Sequence, residues 1–262
     1  VHDVLAGLKA HARLARSAFR ESASNAGDAA ARRVTLGRTG VGVRVTDHGA
    51  GGLVFVSVHE NEATAVRAAR TLLQTHSGRL IELLAQGRRL VSFRIGLRAH
   101  TLDPNRIFTD DGLATTLRML GPDSPAARAA GRTLRDALLA QLPAADGRPL
   151  VALHNNDGTR YSVGNFVSGG QLAGDASRVH FGDEPHPNEF FIVTSADLFD
   201  PLAADGFNVV QQSASATDDG SLSIWAQRAG RPYINVEARE GRLAEQLRML
   251  EAVARHFGRP PR

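Results

Sequence analysis

Cysteine is absent from the 262 residues, which excludes disulfides, thiolate metal sites and a cysteine nucleophile in one step. Lysine is almost absent too: Lys9 is the only one, so arginine supplies the rest of the 31 basic residues that face 27 acidic ones. Arginine stays protonated and forks onto carboxylates, so the excess would suit acidic ligands, although a plain compositional taste for arginine and alanine accounts for it as well. Aromatic residues make up 5% of the chain. The arginines are scattered rather than interleaved with them, which speaks against a nucleic-acid platform. No apolar run approaches the length of about 18 residues that a membrane-spanning helix requires. What is present is ordinary for a globular protein, with 42% hydrophobic and 22% charged residues and a length able to bury a substantial core. A chain that starts at Val1 and lacks cysteine fits a periplasmic or secreted setting, and a cytoplasmic one stays open.

Along the chain, apolar spacing predicts alternating strands and helices. Residues 4–19 place Val4, Leu5, Leu8, Leu14 and Phe19 at helical spacing, and residues 22–28 are small and polar, as in a loop. Short strands are expected over 34–36 and 41–45. Residues 53–58 form a continuous apolar run, the pattern of a central strand covered on both faces. A helix over 63–73, a strand over 90–95 and a mostly helical stretch over 118–142, broken near Gly121-Pro122, come next. Strands over 150–153, 190–193, 207–210 and 233–236 follow, with helices over 196–204 and 243–257. This alternation predicts one α/β domain spanning residues 1–262, with a largely parallel sheet. Residues 155–189, rich in Gly, Ser, Asn and His, read as an excursion at an active site rather than a linker.

In open α/β sheets, ligands sit beyond the carboxyl ends of the strands. The polar residues at those ends are His59, Glu60, Asn61 and Glu62 after the first central strand, His154 after 150–153, and Glu237 after 233–236. His59 and Glu62, three apart where a strand runs into a helix, can converge on one point. With His154 they form two imidazoles and a carboxylate, a donor set that suits one catalytic zinc ion with a position left for water. Zinc acidifies water and polarises a carbonyl, and a separate carboxylate, here Glu237, would move the proton. Each residue alone has a plainer reading: a surface pair, a loop cap, a solvated strand-end carboxylate. The segment 98–108, RAHTLDPNRIF, adds Arg98, Asn105 and Arg106. One guanidinium would steady an oxyanion, and an amide with a guanidinium would hold a free carboxylate. Alternatively, Asp103 and Arg106 form an ion pair in the turn at Pro104.

These segments resemble the aspartoacylase and succinylglutamate desuccinylase family, within the zinc carboxypeptidase-like fold. The family's His-Gly-Asn-Glu stands here as His59-Glu60-Asn61-Glu62, and its Asp-Leu-Asn-Arg-x-Phe as Asp103-Pro104-Asn105-Arg106-Ile107-Phe108. Arg98 falls at the spacing of the family's carbonyl-steadying arginine. Leu153-His154-Asn155 matches its third metal segment, and Ile234-Asn235-Val236-Glu237, with Gly241 beyond, its general base. The resemblance implies a three-layer α/β/α hydrolase with a mixed, largely parallel sheet and one zinc ion on His59, Glu62 and His154. Glu237 and Arg98 would be catalytic. Asn105 and Arg106 would bind substrate, with Tyr161 placed like the carboxypeptidase tyrosine or simply packed.

The departures are Glu60 for glycine, Pro104 for leucine, and about 25 residues after Glu237 where aspartoacylases continue into a β domain. An open cleft is therefore expected, acting on peptides, including peptidoglycan stem peptides, at an amide or peptide bond beside a free carboxylate. Deacylation of small N-acyl amino acids is the alternative, and a non-catalytic binder of peptide ends a second one. His180 and His186, in a proline-bearing loop, compete as ligands. Arg228 and Arg231 are candidate contacts for an anionic substrate, and Asp218 and Asp219 for an amine.

Overall fold

The chain divides into two units, Val1–Ala30 and Ala31–Arg262, and a computed structural model describes residues 31–183 and 186–258 of the second. The helix expected over 4–19 and the loop over 22–28 lie outside the described residues. Eleven strands and six α-helices follow in order among the described residues: β1 Arg32–Leu36, β2 Thr39–His48, β3 Leu53–Ser57, α1 Ala63–Leu72, β4 Gly78–Leu84, β5 Val91–Ile95, β6 Arg98–Leu102, α2 Asp110–Leu120, α3 Pro125–Leu139, β7 Leu150–Asn156, β8 Ala176–His180, β9 Phe190–Val193, α4 Ala196–Ala204, β10 Asn208–Gln212, α5 Leu222–Arg228, β11 Tyr233–Arg239 and α6 Leu243–Phe257. Nine strands make one mixed sheet in the order β1-β2-β4-β3-β7-β11-β9-β10-β8, and β5 pairs with β6 apart from it. The central run β4-β3-β7-β11 is parallel, so β3, β7 and β11 end at the same sheet edge.

Alternation along the central strands explains the layers. Leu53 and Phe55 of β3, Val151 and Leu153 of β7, and Ile234 and Val236 of β11 pack against α1, α4 and α6 through Ala68, Leu72, Phe199, Leu202, Met249 and Val253. The intervening residues Val54, Val56, Leu150 and Ala152 face the other way. They meet Leu113 and Leu117 of α2, Leu134 and Leu138 of α3, and Leu222 of α5. Each such side chain, once buried, contributes roughly 1.5–3 kcal/mol. The result is an α/β fold, a large mixed sheet with parallel central strands between two helical layers. On β11 the second face starts apolar at Tyr233 and then turns polar at Asn235 and Glu237, although both stay buried. The core gives way to a cleft there.

Three strands and a helix were not legible in the pattern. β4, GRLIELL, carries leucines, an isoleucine and a glutamate at spacings that suit a helix equally well. Its pairing between β2 and β3 decides the matter, an override of local preference by tertiary context. β6 and β8 are short and half exposed, and α5 is seven residues long. The helical stretch placed over 118–142 begins earlier, at Asp110 behind the N-cap Thr109, and restarts at Pro125 behind the N-cap Ser124. The interruption at Gly121-Pro122 is where the pattern put it.

Candidate metal centre and cleft

After β3 the chain turns tightly, the Glu62 amide donating to the His59 carbonyl at 3.1 Å, and α1 begins at the next residue. The turn brings both side chains to one point: His59 Nδ1 lies 3.0 Å from Glu62 Oε1. From β7, His154 brings its own Nδ1 to 3.0 Å from Glu62 Oε2. One donor atom from each of the three lies within 4.8 Å of the others, and all three residues are buried.

The far nitrogen of His59, Nε2, stands 2.8 Å from Asp103 Oδ1. A proton on Nε2 donated to that carboxylate leaves Nδ1, which carries a proton toward Glu62 in the metal-free centre, as the nitrogen a metal would take in its place. Asp103 is itself fixed: its side chain accepts from the Asn105 amide at 2.8 Å and its own amide donates to Thr116 on α2. Burial works against the Asp103 charge, yet the His59 contact and the Asn105 amide bring its pKa down to about 2. Burial likewise opposes charge on His59, and Asp103 and Glu62 overcome it to raise the His59 pKa. For Glu62, burial is outweighed by the two imidazoles, which hold its carboxyl well below the usual range. Two basic nitrogens and one carboxylate, all dry and mutually within reach, fit a divalent metal ion in place of the protons that now join them. The far nitrogen of His154 has no such support, being buried without a hydrogen-bond partner among the described residues.

Glu237 and His154 are register partners on adjacent parallel strands, so their side chains stand side by side on the cleft face. Asn235 Nδ2 donates to Glu237 Oε1 at 3.2 Å and Asn156 Nδ2 to Oε2 at 3.3 Å. Burial raises the Glu237 pKa with the charge of Glu62 behind it, while His154 and the two amides pull the other way.

These groups open into a cleft of about 600 Å³ whose lining includes Glu62, His154, Glu237, Asn105, Arg106 and Tyr161. Asn105 is placed by α5, its Oδ1 accepting from the Leu222 amide at 3.2 Å. Arg106 pairs with Asp219, not with Asp103, which is engaged by His59. The segment that carries Asp219 is pinned at Gly220: φ is +78° and a Cβ there would stand 2.4 Å from the Arg106 carbonyl oxygen. Asp218 braces the same turn, taking Thr109 at 2.7 Å and Arg228 at 2.6 Å. The Tyr161 ring packs edge-on against Phe190 and Phe166, and burial pushes its phenol far above the ordinary value, so it stays a neutral donor.

Arg98 is elsewhere. It sits exposed at the tip of the β5–β6 hairpin, opposite Ile95, and does not line the cleft. The guanidinium beside the His59–Glu62–His154 cluster is that of Arg89, which no sequence pattern singled out: Nη1 reaches Glu62 Oε1 at 2.5 Å and Nη2 lies 3.9 Å from Asp103. The only signal for it was an arginine pair, Arg88-Arg89, directly before an expected strand. Glu60 also points away from the cleft. Its carboxylate accepts from the Ala85 amide and, at 2.6 Å, from the Gly87 amide, holding the turn that delivers Arg89. His180 lies at the end of the outer strand β8, and His186 accepts through its carbonyl from Asn208; neither joins the His59–Glu62–His154 cluster.

No protein-family profile matches the chain, and no curated protein does either. Similar solved structures include an aspartoacylase family protein from Mesorhizobium loti, 16% identical with a TM-score of 0.45, over 86% of this chain and 65% of that one. A succinylglutamate desuccinylase/aspartoacylase from Rhodobacter sphaeroides is 16% identical with a TM-score of 0.43, over 88% and 64%. Murein-tripeptide amidase from Escherichia coli O157 is 15% identical with a TM-score of 0.46, over 90% and 95%. This chain spans less than two thirds of the first two.

Proposed function

We propose that this chain is a zinc-dependent hydrolase that cleaves an amide or peptide bond next to a free carboxylate, acting on peptides in the manner of a carboxypeptidase or amidase. The observation that carries this reading is the convergence of His59 Nδ1, His154 Nδ1 and the Glu62 carboxylate beside a buried carboxylate, Glu237, that belongs to none of those contacts. His59, Glu62 and His154 would hold one zinc ion. Zinc bound there supplies a Lewis acid that polarises the scissile carbonyl and acidifies a water.

The protein's own groups account for the rest. Asn105 and Arg106, adjacent in the lining, fork onto the free carboxylate and set the register of the scissile bond. Arg106 exchanges Asp219 for the substrate as it does so. Arg89, rather than the distant Arg98, faces the carbonyl oxygen and stabilises the negative charge that grows on it. Glu237, held by Asn156 and Asn235, takes a proton from the attacking water and returns it to the leaving nitrogen. Tyr161 donates its neutral hydroxyl across the cleft.

The test is metal analysis followed by hydrolysis of short peptides, muropeptides and N-acyl amino acids. One equivalent of zinc and turnover of peptides with a free C-terminal carboxylate, lost when that carboxylate is amidated, is the expected result. Glu237→Gln should keep the zinc and lose turnover by a factor of about 10² or more. Turnover confined to small N-acyl amino acids would move the reading to a deacylase. Zinc retained in full by both His59→Ala and His154→Ala would remove the metal site altogether.

A further inference from the structure

The three strands that carry the site also have amino-terminal ends, at the opposite edge of the sheet, and a second pocket of about 550 Å³ lies there. It is bounded by residues 49–52 before β3, by Pro149 at the start of β7 and by Arg231, two residues before β11. None of these groups belongs to the cleft.

The charges in this pocket do not balance. Arg79 is fully engaged, with Nε and Nη2 on Asp47 at 2.7 and 3.0 Å and Nη1 on the Gln141 carbonyl at 3.0 Å. Arg148 gives Nε to Asp146 at 2.8 Å and Nη2 to the same carboxylate, and keeps Nη1 free beside Gly51. Arg231 gives nothing. Its Nε is sealed from solvent without a partner, and among the described residues its guanidinium enters no ion pair or hydrogen bond. Burial drives its pKa down with only the charge of Asp146 opposing. Three guanidiniums against two carboxylates leave a surplus of positive charge, and the partly buried Arg231 side chain, near Asp146 but bonded to nothing among the described residues, is where it falls.

The opposite wall is bare backbone. Gly51 and Gly52 have φ of +74° and +81°, and a Cβ on Gly52 would stand 1.9 Å from the Ser77 carbonyl oxygen. Only glycine fits at Gly52, and a Cβ on Gly51 would stand 3.4 Å from Arg148 Nη1, so the backbone of Gly51 comes close to that guanidinium.

We propose that this pocket is a binding site for a small carboxylate anion, forked by the outer nitrogens of Arg231 and by Arg148 Nη1. One negative charge neutralises the surplus, whereas a phosphate dianion would overshoot it. Pro143, Pro149 and Val54 give a short apolar body something to lie against. The site is independent of the chemistry proposed for the cleft.

The test is a titration of the isotopically labelled, zinc-loaded protein with sodium acetate, followed by amide and guanidinium NMR at constant ionic strength. The resonances of Gly51, Gly52 and Arg231 Nε should move saturably with acetate and stay still with sodium chloride. Arg231→Gln should weaken the acetate affinity at these reporters by about tenfold or more, the loss of a forked charge-assisted contact, while shifts at Asn105 and Arg106 persist. Arg148→Gln, which removes one of the contacts, should weaken it less and serves if the first variant does not fold. Equal movement in chloride, unchanged affinity in both variants, or tighter binding of inorganic phosphate than of acetate would each overturn the assignment.

Discussion

His59 uses its two ring nitrogens for two tasks, and that division is why the centre is specific at the scale of single residues. Nε2 is committed to Asp103 and Nδ1 is thereby directed at Glu62. The convergence of His59, Glu62 and His154 was legible in the sequence. An i, i+3 pair at the end of an apolar strand and a histidine at the end of another are local patterns, and strand ends in a parallel sheet gather at one edge. The guanidinium that lines the cleft was not legible, because nothing local separates Arg89 from Arg98. Both flank the same short strand, and only the fold turns one inward and the other outward. This makes a direct comparison possible. Arg89→Met should keep zinc and KM largely unchanged and lower kcat by about 10²–10³, the usual cost of an oxyanion donor. Arg98→Met should leave kcat within about twofold, as for an exposed surface position. Steady-state kinetics with metal analysis on both variants checks this; a large kcat loss confined to Arg98→Met would reverse the assignment.

Among the elements, β4 and the turn after it show how an unread strand shapes the site. The run GRLIELL has no strand alternation that a sequence reading could catch. Its Glu82 is buried because Arg44 and Arg70 converge on it from β2 and α1, at 3.2 and 2.8 Å. The following turn holds Gln86 at φ +60°, the only non-glycine residue with positive φ among the described residues. Glu60 locks that turn through two backbone amides. In sequence, Glu60 stands where the resembled family has glycine; in the structure it is the acceptor that seats the loop of Arg89. Glu60→Ala should therefore cost about 0.5–1.5 kcal/mol in stability, the net worth of the bond to the Ala85 amide, since the exposed Gly87 amide can turn to water. It should also lower kcat with zinc content intact, since Arg89 loses its seat. Urea unfolding and kinetics on the same preparation test both parts. A loss of stability without any change in kcat would uncouple the turn from catalysis.

For the whole molecule, the His59–Glu62–His154 cluster ties together segments that are remote in the chain: Glu62 and His154 lie 92 positions apart yet meet at one point. The layered α/β plan was legible because apolar runs and amphipathic stretches alternate. The order of the strands was not, since nothing local says that β4 enters between β2 and β3. A ligand that binds only the assembled centre stabilises the fold by mass action, about 2.7 kcal/mol when free zinc is a hundredfold above its dissociation constant. At roughly 2–4 °C per kcal/mol for a protein of this size, chelation should lower Tm by about 5–10 °C. The size of that drop should depend on pH in a definite direction. In the metal-free protein, the His59 pKa is raised by Asp103 and Glu62. The stability it contributes is complete below the ordinary value of about 6.5 and is lost as pH rises through the raised one. Zinc needs the same nitrogen unprotonated, so its binding strengthens over that same interval. The two slopes oppose each other, and the Tm gap between zinc-loaded and chelated protein should widen as pH rises from 6 to 8. Asp103→Asn removes the main partner that raises His59 and should flatten the metal-free slope. Thermal melts at several pH values, with and without chelator, would show it, and a gap that stays constant or narrows toward pH 8 would mean that His59 does not exchange a proton for the metal.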